Sequence, residues 1–206
     1  MIYITGDKHA DFKGVFYFCK ANKTTIDDIL IILGDAGINY YANELDDILK
    51  NSLLQCPITF FCIHGNHEER PENIKTYKTK KCHDGVVYYE EKYPNILFAK
   101  DGEIYSFNNY KVLVIGGAYS VDKQFRITYG YNWYESEQPT EETKNRVRKV
   151  LKNLDNKIDI ILSHTCPYKY LPREMFLKGI DQNTVDNSTE YFLDENNNKF
   201  GAVFAD

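Results

Sequence analysis

Short apolar runs rich in β-branched residues recur along the chain, and polar residues or glycine bound each of them. They occupy residues 2–4, 29–33, 58–63, 112–115 and 158–162. Runs of this length without polar interruption are typical of strands that are buried on both faces. The pattern therefore predicts a sheet that lies inside the molecule.

Two segments between these runs carry a helical pattern instead. Leucine and isoleucine recur at three- and four-residue spacing over residues 45–53, and valine and leucine do so over residues 147–154. This spacing places the apolar side chains on one face of a helix. Because strands and helices alternate, we predict an α/β fold in which helices cover a sheet.

The middle of the chain has a different pattern. Four strand-like runs follow one another with few helical residues between them, at residues 86–89, 96–99, 103–107 and 110–115. Asn108-Asn109 suits a two-residue hairpin turn. This region is therefore predicted to be locally antiparallel.

Two polar, aromatic stretches show no clear period. Residues 121–140 and 165–190 are interpreted as long loops or short irregular helices. The short apolar end at residues 200–205 predicts one last strand.

Composition narrows the class of protein. The 206 residues are 43% hydrophobic and 27% charged, which predicts one compact domain over residues 1–206. The formal net charge of −5 disfavours a general nucleic-acid-coating surface. The 17 Tyr and 12 Phe are interpreted as core packing.

Cysteine usage and hydropathy bear on location. The five cysteines are scattered and form no Cys-x-x-Cys pair, which fits a reducing setting. No apolar stretch approaches the roughly 18 residues that span a bilayer, and the start of the chain lacks a signal-peptide pattern. We expect a cytoplasmic protein with no membrane partner; its oligomeric state stays open.

Residues able to bind a metal follow four of the predicted strands. Asp7 and His9 come after the first strand, Asp35 after the second, Asn66 after the third and His164 after the fifth. Loops at the carboxyl ends of strands in an α/β sheet converge on one crevice. These side chains are therefore expected to meet although they are distant in sequence.

The donor set indicates a particular chemistry. Carboxylates, imidazoles and an amide oxygen form a mixed oxygen and nitrogen donor set that suits Mn²⁺, Fe²⁺ or Zn²⁺. This set differs from the thiolate-rich set of a structural zinc site. A carboxylate such as Asp35 can bridge two divalent ions, and such a pair clamps a phosphate during in-line attack. The set predicts hydrolysis of a phosphate ester at a centre of two divalent metal ions.

Four ordered motifs resemble those of the calcineurin-like metallophosphoesterases, especially the small bacterial and phage-type members. They are Gly6-Asp7-Lys8-His9, Gly34-Asp35, Gly65-Asn66-His67-Glu68 and Ser163-His164. The resemblance implies a layered α/β/β/α sandwich with mixed sheets and outer helices.

The resemblance also implies a role for each matching residue. Asp35 would bridge the two ions, Asp7 and His9 would hold the first ion, and Asn66 and His164 would hold the second. His67 matches the residue that serves as a proton donor or transition-state stabiliser. A histidine beside two dications can protonate a leaving alkoxide or neutralise charge on phosphoryl oxygens.

One departure from the family pattern leaves alternatives open. The family closes its site with a late Gly-His-x-His motif, and this sequence has no histidine after His164. Each ion would keep three family ligands, with Asp35 shared, which suggests a domain incomplete at its C-terminal end. A weak or inactive binding module with the same fold is the alternative, and a nuclease inside a larger complex is a third.

Several other polar residues have structural interpretations. His64 is expected to be a packed core histidine, and His83 a solvated loop residue. Glu68 could orient His67 or touch substrate, but a charged start to the next segment explains it equally well. Lys123 and Arg126 are left outside the predicted site.

Overall fold

The strands of the chain divide into two sheets. The computed structural model describes residues 1–120 and 122–165, which form nine strands and four α-helices. Strands β1 to β9 are, in order, Ile2–Thr5, Ile29–Ile32, Thr59–Cys62, Lys78–Cys82, Gly85–Glu90, Tyr93–Ala99, Ile104–Phe107, Tyr110–Ile115 and Ile160–Ser163. Helices α1 to α4 are Lys13–Asn22, Asp46–Leu53, Lys123–Tyr129 and Glu141–Asn153.

The larger sheet has six strands in the order β1-β2-β3-β6-β5-β4. Strands β1, β2, β3 and β6 are parallel, and β5 and β4 extend the sheet antiparallel. The apolar runs at the start of the chain thus form neighbouring parallel strands. Strands β2 and β3 are buried as predicted, except for Thr59, whereas edge strand β1 is only partly buried. Strand β6 belongs both to the predicted antiparallel section, through β5, and to the parallel part of the sheet, through β3.

The smaller sheet has three strands in the order β7-β8-β9. Strands β7 and β8 form the predicted hairpin, and Asn108 and Asn109 turn it with φ angles of 50° and 69°. Two successive positive φ angles match the right-handed twist of the flanking strands, which is why asparagine suits this turn. Strand β9 pairs parallel with β8.

The two sheets pack face to face, and helices cover their outer faces. Phe61 and Ile63 of the larger sheet share a buried cluster with Tyr105 and Val114 of the smaller one. Helices α1 and α2 pack through Val15, Leu53 and their neighbours against the other face of the larger sheet. Helix α4 packs through Val147 against the smaller sheet. The predicted α/β/β/α sandwich is confirmed.

The structure also contains elements that the pattern did not predict. Helix α1 and edge strand β4 are examples, and the stretch 121–140 contains helix α3 and a short 3₁₀ turn at Glu135–Glu137. Interpreting all aromatic residues as core packing was wrong here, because Phe125, Tyr129 and Tyr131 are exposed. The predicted last strand at residues 200–205, and the stretch 165–190 beyond Thr165, lie outside the described residues.

Candidate metal centre

The predicted site residues meet at one edge of the sandwich, where β1, β2, β3 and β9 end. Asp35 lies at the centre, and its Oδ2 atom is surrounded by three imidazoles. The Nε2 atom of His164 is 3.6 Å away, that of His9 is 3.8 Å away and that of His67 is 3.9 Å away. The structure therefore brings together side chains from four separate strand ends.

Asp7 and His9 form the exposed side of this cluster. Asp7 Oδ2 lies 3.7 Å from His9 Nε2, and Asp7 Oδ1 lies 3.9 Å from His164 Nδ1. Donor atoms of Asp7, His9 and Asp35 all lie within 4.8 Å of one another. Two carboxylates and an imidazole so close together fit a divalent transition metal ion.

Asn66 and His164 form the buried side. His164 Nε2 lies 2.8 Å from Asn66 Oδ1, and its Nδ1 lies 2.7 Å from the carbonyl oxygen of Leu33. A backbone carbonyl bonded to one ring nitrogen fixes the ring and directs the other nitrogen toward the cluster, as is usual for histidines that bind metals. The imidazole is thus oriented by the protein itself.

Two glycines allow this close approach. A Cβ atom at Gly34 would lie 2.2 Å from His164 Nδ1, and one at Gly65 would lie 2.0 Å from Asp35 Oδ1. Gly34 also has a φ of 91°, which favours glycine. Any larger residue at these positions would displace the two side chains that form the centre of the cluster.

The loops after β1 and β2 are tied together by the backbone. The amides of Lys8 and His9 both donate to the carbonyl oxygen of Asp35, at 3.0 and 2.8 Å. His9 and Asp35 have φ angles of 44° and 47°, which are uncommon for residues other than glycine. Strained backbone held by surrounding contacts is frequent at functional sites.

The buried charges at the centre stabilise each other. Burial alone would raise the pKa of Asp35 and lower that of His164, but the pairing of the two groups outweighs it. The pKa of Asp35 falls to about 2, and that of His164 rises to about 9. Burial lowers the pKa of His67.

A layer of polar residues behind the cluster was not identified from the sequence. Asn66 Nδ2 donates to Ser120 Oγ at 2.8 Å, and the backbone amide of Ser120 donates to the buried carboxylate of Glu137 at 3.3 Å. Trp133 Nε1 donates to the same carboxylate at 2.8 Å. Ser120 follows the run Gly116-Gly117-Ala118-Tyr119, and nothing in that run indicates a contact 54 residues away.

His64, His83 and Glu68 are polar residues outside the predicted ligand set. His64 is buried and His83 is exposed, as predicted. Glu68 is completely buried, so it is not a solvated residue at the start of a segment. Its Oε1 accepts a hydrogen bond of 3.2 Å from the amide of Gly65, and burial raises its pKa to about 7. Glu68 therefore supports the loop that carries Asn66 and His67.

A cleft of about 280 Å³ opens beside the cluster. His9, Asp35 and His67 form one end of it. Apart from Ala10, the other residues of its wall come from the segment between Asp35 and helix α2 and from the helix itself, and they include Tyr40, Tyr41, Leu45, Asp46 and Leu49. The tandem tyrosines were not predicted as site residues, because aromatic residues are frequent throughout this chain.

The sequence profile of the calcineurin-like phosphoesterases matches residues 1–204. The chain belongs to this family. Family membership means metal-dependent chemistry on phosphoric ester bonds, and the Asp7, His9 and Asp35 donors agree with it. The search of curated proteins gave no match. Among the described residues, no helix is long and apolar enough to cross a membrane.

Proposed function

We propose that this chain hydrolyses a phosphomonoester or phosphodiester with two divalent metal ions, Mn²⁺, Fe²⁺ or Zn²⁺. The observation that carries the proposal is the arrangement of three imidazoles within 3.9 Å of the buried Asp35 carboxylate. Asp7, His9 and Asp35 would hold the first ion, and Asp35, Asn66 and His164 the second. The Oδ2 atom of Asp35 lies within 3.8 Å of an imidazole from each side, so this carboxylate would be shared by the two ions.

Two divalent ions bound here would supply the positive charge that polarises a phosphoryl oxygen and acidifies a water molecule. The protein supplies orientation. The backbone amide of His67 donates to Asp35 Oδ1 at 2.9 Å, which fixes that oxygen and leaves Oδ2 facing the imidazoles. The same contact fixes the position of His67 relative to the cluster.

His67 is proposed as the catalytic residue. Its ring lies at the cleft, 5.7 Å from the ring of His9 between centroids, and 18% of its side chain is exposed. A substrate in the cleft would therefore meet the imidazole of His67 beside the ions, and this imidazole could act when protonated. That group can donate a proton to the leaving alkoxide or a hydrogen bond to a phosphoryl oxygen.

The setting proposed for this activity is the cytoplasm. Cys19, Cys56, Cys62 and Cys82 are free thiols, and the first three are buried. Free thiols persist in reducing compartments, whereas secreted proteins usually pair them. We also retain the expectation that residues 1–206 form one domain, because the family profile extends over residues 1–204.

Turnover of generic chromogenic phosphomonoesters and phosphodiesters with added Mn²⁺ tests the proposal. Activity should be lost in Asp35→Asn and in His67→Ala. Asp27→Asn serves as the matched control, because Asp27 is an exposed carboxylate at the opposite end of β2. Lack of turnover under these conditions, or turnover that survives Asp35→Asn, would count against hydrolysis at this site.

The second candidate function is a binding module of this fold with weak or no catalysis. It is the alternative that the sequence leaves open, since the 206 residues contain no histidine after His164 and the family pattern has one for each ion in a late motif. Elemental analysis separates the two candidates. About two equivalents of transition metal support the phosphoesterase, and metal-free protein after purification with added Mn²⁺ supports the module.

A further inference from the structure

The cleft beside the cluster has two chemically different ends. At one end are the groups proposed to hold the ions and to act on the phosphate, His9, Asp35 and His67. At the other end the wall is formed mainly by apolar side chains. A phosphate ester placed at the cluster would therefore extend its organic part toward that second wall.

The second wall presents apolar surface that the protein leaves uncovered. Tyr41 is 48% exposed and Leu45 is 55% exposed, and both line the cleft together with Tyr40 and Leu49. The rings of Tyr40 and Tyr41 meet edge to face at 5.0 Å between centroids. A ligand ring or alkyl group that covered these side chains would gain the free energy of apolar burial.

The wall does not suit a negatively charged group. No lysine or arginine lines the cleft among the residues that the structure describes. The carboxylate of Asp46 does line it, and it accepts hydrogen bonds of 3.0 and 3.3 Å from the backbone amide of Tyr41. A second phosphate or a carboxylate on the substrate would therefore find no cationic side chain in the described lining of this wall.

The wall is held in place before any substrate arrives. The carbonyl oxygen of Tyr40 accepts hydrogen bonds from Asn132 Nδ2 at 2.7 Å and from the Tyr134 hydroxyl at 2.8 Å. Asp46 holds the next residue, Tyr41, by its amide. Binding energy is therefore not consumed in ordering the segment that carries the two tyrosines.

The cleft is small for a ligand site. Pockets for drug-sized molecules occupy roughly 300–1,000 Å³, and this cleft measures about 280 Å³. It has room for a single ring or a short branched chain beside a phosphate.

From these observations we infer that Tyr40, Tyr41, Leu45 and Leu49 form a specificity pocket for the organic group of the phosphoester. The substrate class is a phosphoester whose alcohol carries an uncharged aromatic or apolar group of about one ring. This inference rests on the proposed function, because it takes the phosphate to lie at the cluster.

The kinetic test compares 2-phenylethyl phosphate with ethyl phosphate in the presence of Mn²⁺. Both are esters of primary alcohols, so their leaving groups are of similar basicity and differ in apolar surface. We expect kcat/KM to be about tenfold or more higher for the phenylethyl ester. Tyr41→Ala and Leu45→Ala should each remove most of this preference, because each should lower kcat/KM for the phenylethyl ester much more than for ethyl phosphate.

Tyr110→Ala is the matched control. Tyr110 is a tyrosine of similar exposure, 55%, but it lies at the start of strand β8 in the smaller sheet. This variant should retain the preference. Because Tyr41 and Leu45 are both exposed, their variants are expected to fold, and the two serve as independent checks of the same wall.

A binding measurement separates the failure of this inference from the failure of the proposed function. Calorimetric titration with 2-phenylethylphosphonate and ethylphosphonate needs no turnover. Tighter binding of the phenylethyl compound, lost in Tyr41→Ala, supports the pocket even if neither ester is hydrolysed. Equal kcat/KM for the two esters would overturn the pocket and leave the phosphoesterase intact. Equal or absent binding of both phosphonates, with no hydrolysis, would overturn both.

Discussion

The two sides of the metal centre are built in different ways. Side chains of Asp7 and His9 are 54% and 57% exposed, whereas that of His164 is 7% exposed and Asn66 is buried. Asp35, which is 3% exposed, lies between them. One candidate ion site therefore faces solvent, and the other lies within the protein.

The hydrogen bonds differ in the same way. His164 is bonded at both ring nitrogens and Asn66 is bonded to Ser120. On the exposed side, the backbone amides of Lys8 and His9 donate to the carbonyl oxygen of Asp35. These hydrogen bonds hold the backbone of the loop but do not orient the imidazole of His9. The protein thus preorganises the buried donors, and an ion would have to order the exposed ones when it binds. Preorganised donors lose less conformational entropy on binding, so the buried ion should be held more tightly.

The largest effect is expected from a change that removes the group shared by the two sides. Asp35→Asn keeps the size of the side chain, and its carbonyl oxygen can still accept from the amide of His67. It removes the charge that both ions need. Substitution of a residue that contacts a metal ligand from outside costs roughly 10–100-fold in activity. Turnover of Asp35→Asn should fall by more than that, and elemental analysis should show the loss of both ions. Retention of one full equivalent would show that Asp35 is not shared.

A change on the buried side should affect both metal binding and folding. His164→Ala would leave Asn66 Oδ1, the carbonyl of Leu33 and the buried Asp35 carboxylate without this partner. A buried polar group that loses its partner costs about 1–3 kcal/mol, and a charged group costs more. We expect the free energy of unfolding of the metal-free protein to fall by at least about 1–3 kcal/mol, measured by urea denaturation. An unchanged free energy of unfolding would mean that these contacts do not order the metal-free site.

The corresponding change on the exposed side should affect metal binding alone. His9→Ala removes an imidazole that is 57% exposed, so the free energy of unfolding of the metal-free protein should change by no more than about 0.5 kcal/mol. Metal titration should show weaker binding of the more loosely held ion, with turnover reduced. If His9→Ala destabilises the metal-free protein as much as His164→Ala does, the contrast between the two sides is wrong.

The contrast between the two sides also separates what the sequence could predict from what it could not. The meeting of Asp7, Asp35 and Asn66 was predictable, because each follows an apolar run and parallel strands end at one edge of a sheet. The hairpin at Asn108-Asn109 was predictable because two positive φ angles favour asparagine. These are properties of short segments.

Features that depend on pairing between distant segments were not predictable in this way. The parallel pairing of β6 with β3 joins residues 60–62 to 96–98, and a run of apolar residues does not specify its partner. Helix α1 was missed because apolar residues cover most of its surface, so no single face marks it. The contact of Ser120 with Asn66 depends on how the two sheets end beside each other, and a serine in a loop carries no signal for it.

The smallest of these effects, and the sharpest test of the buried side, concerns Ser120. Its hydroxyl accepts from Asn66 Nδ2, and its backbone amide donates to Glu137, so it holds the amide of Asn66 with Oδ1 directed to His164. Ser120 touches neither the proposed ions nor the substrate and is a positioning residue. Ser120→Ala would remove the shorter of two contacts that hold Asn66 Nδ2, the other being to His67 Nε2 at 3.2 Å. The amide could then turn its nitrogen toward the ion, and a positively polarised NH₂ group cannot bind a cation.

Ser120→Ala should therefore weaken the tighter ion by about 10–100-fold, as loss of an outer partner of a ligand does. The weaker ion should bind as before. KM should change little and kcat should recover at high Mn²⁺ concentration, which a general loss of folding would not allow. Ser52→Ala is the control, because the exposed Ser52 hydroxyl donates to the carbonyl of Leu49 in α2. Equal weakening of both ions would instead mean that Ser120 supports the whole cluster, so that the buried side is not organised independently of the exposed one.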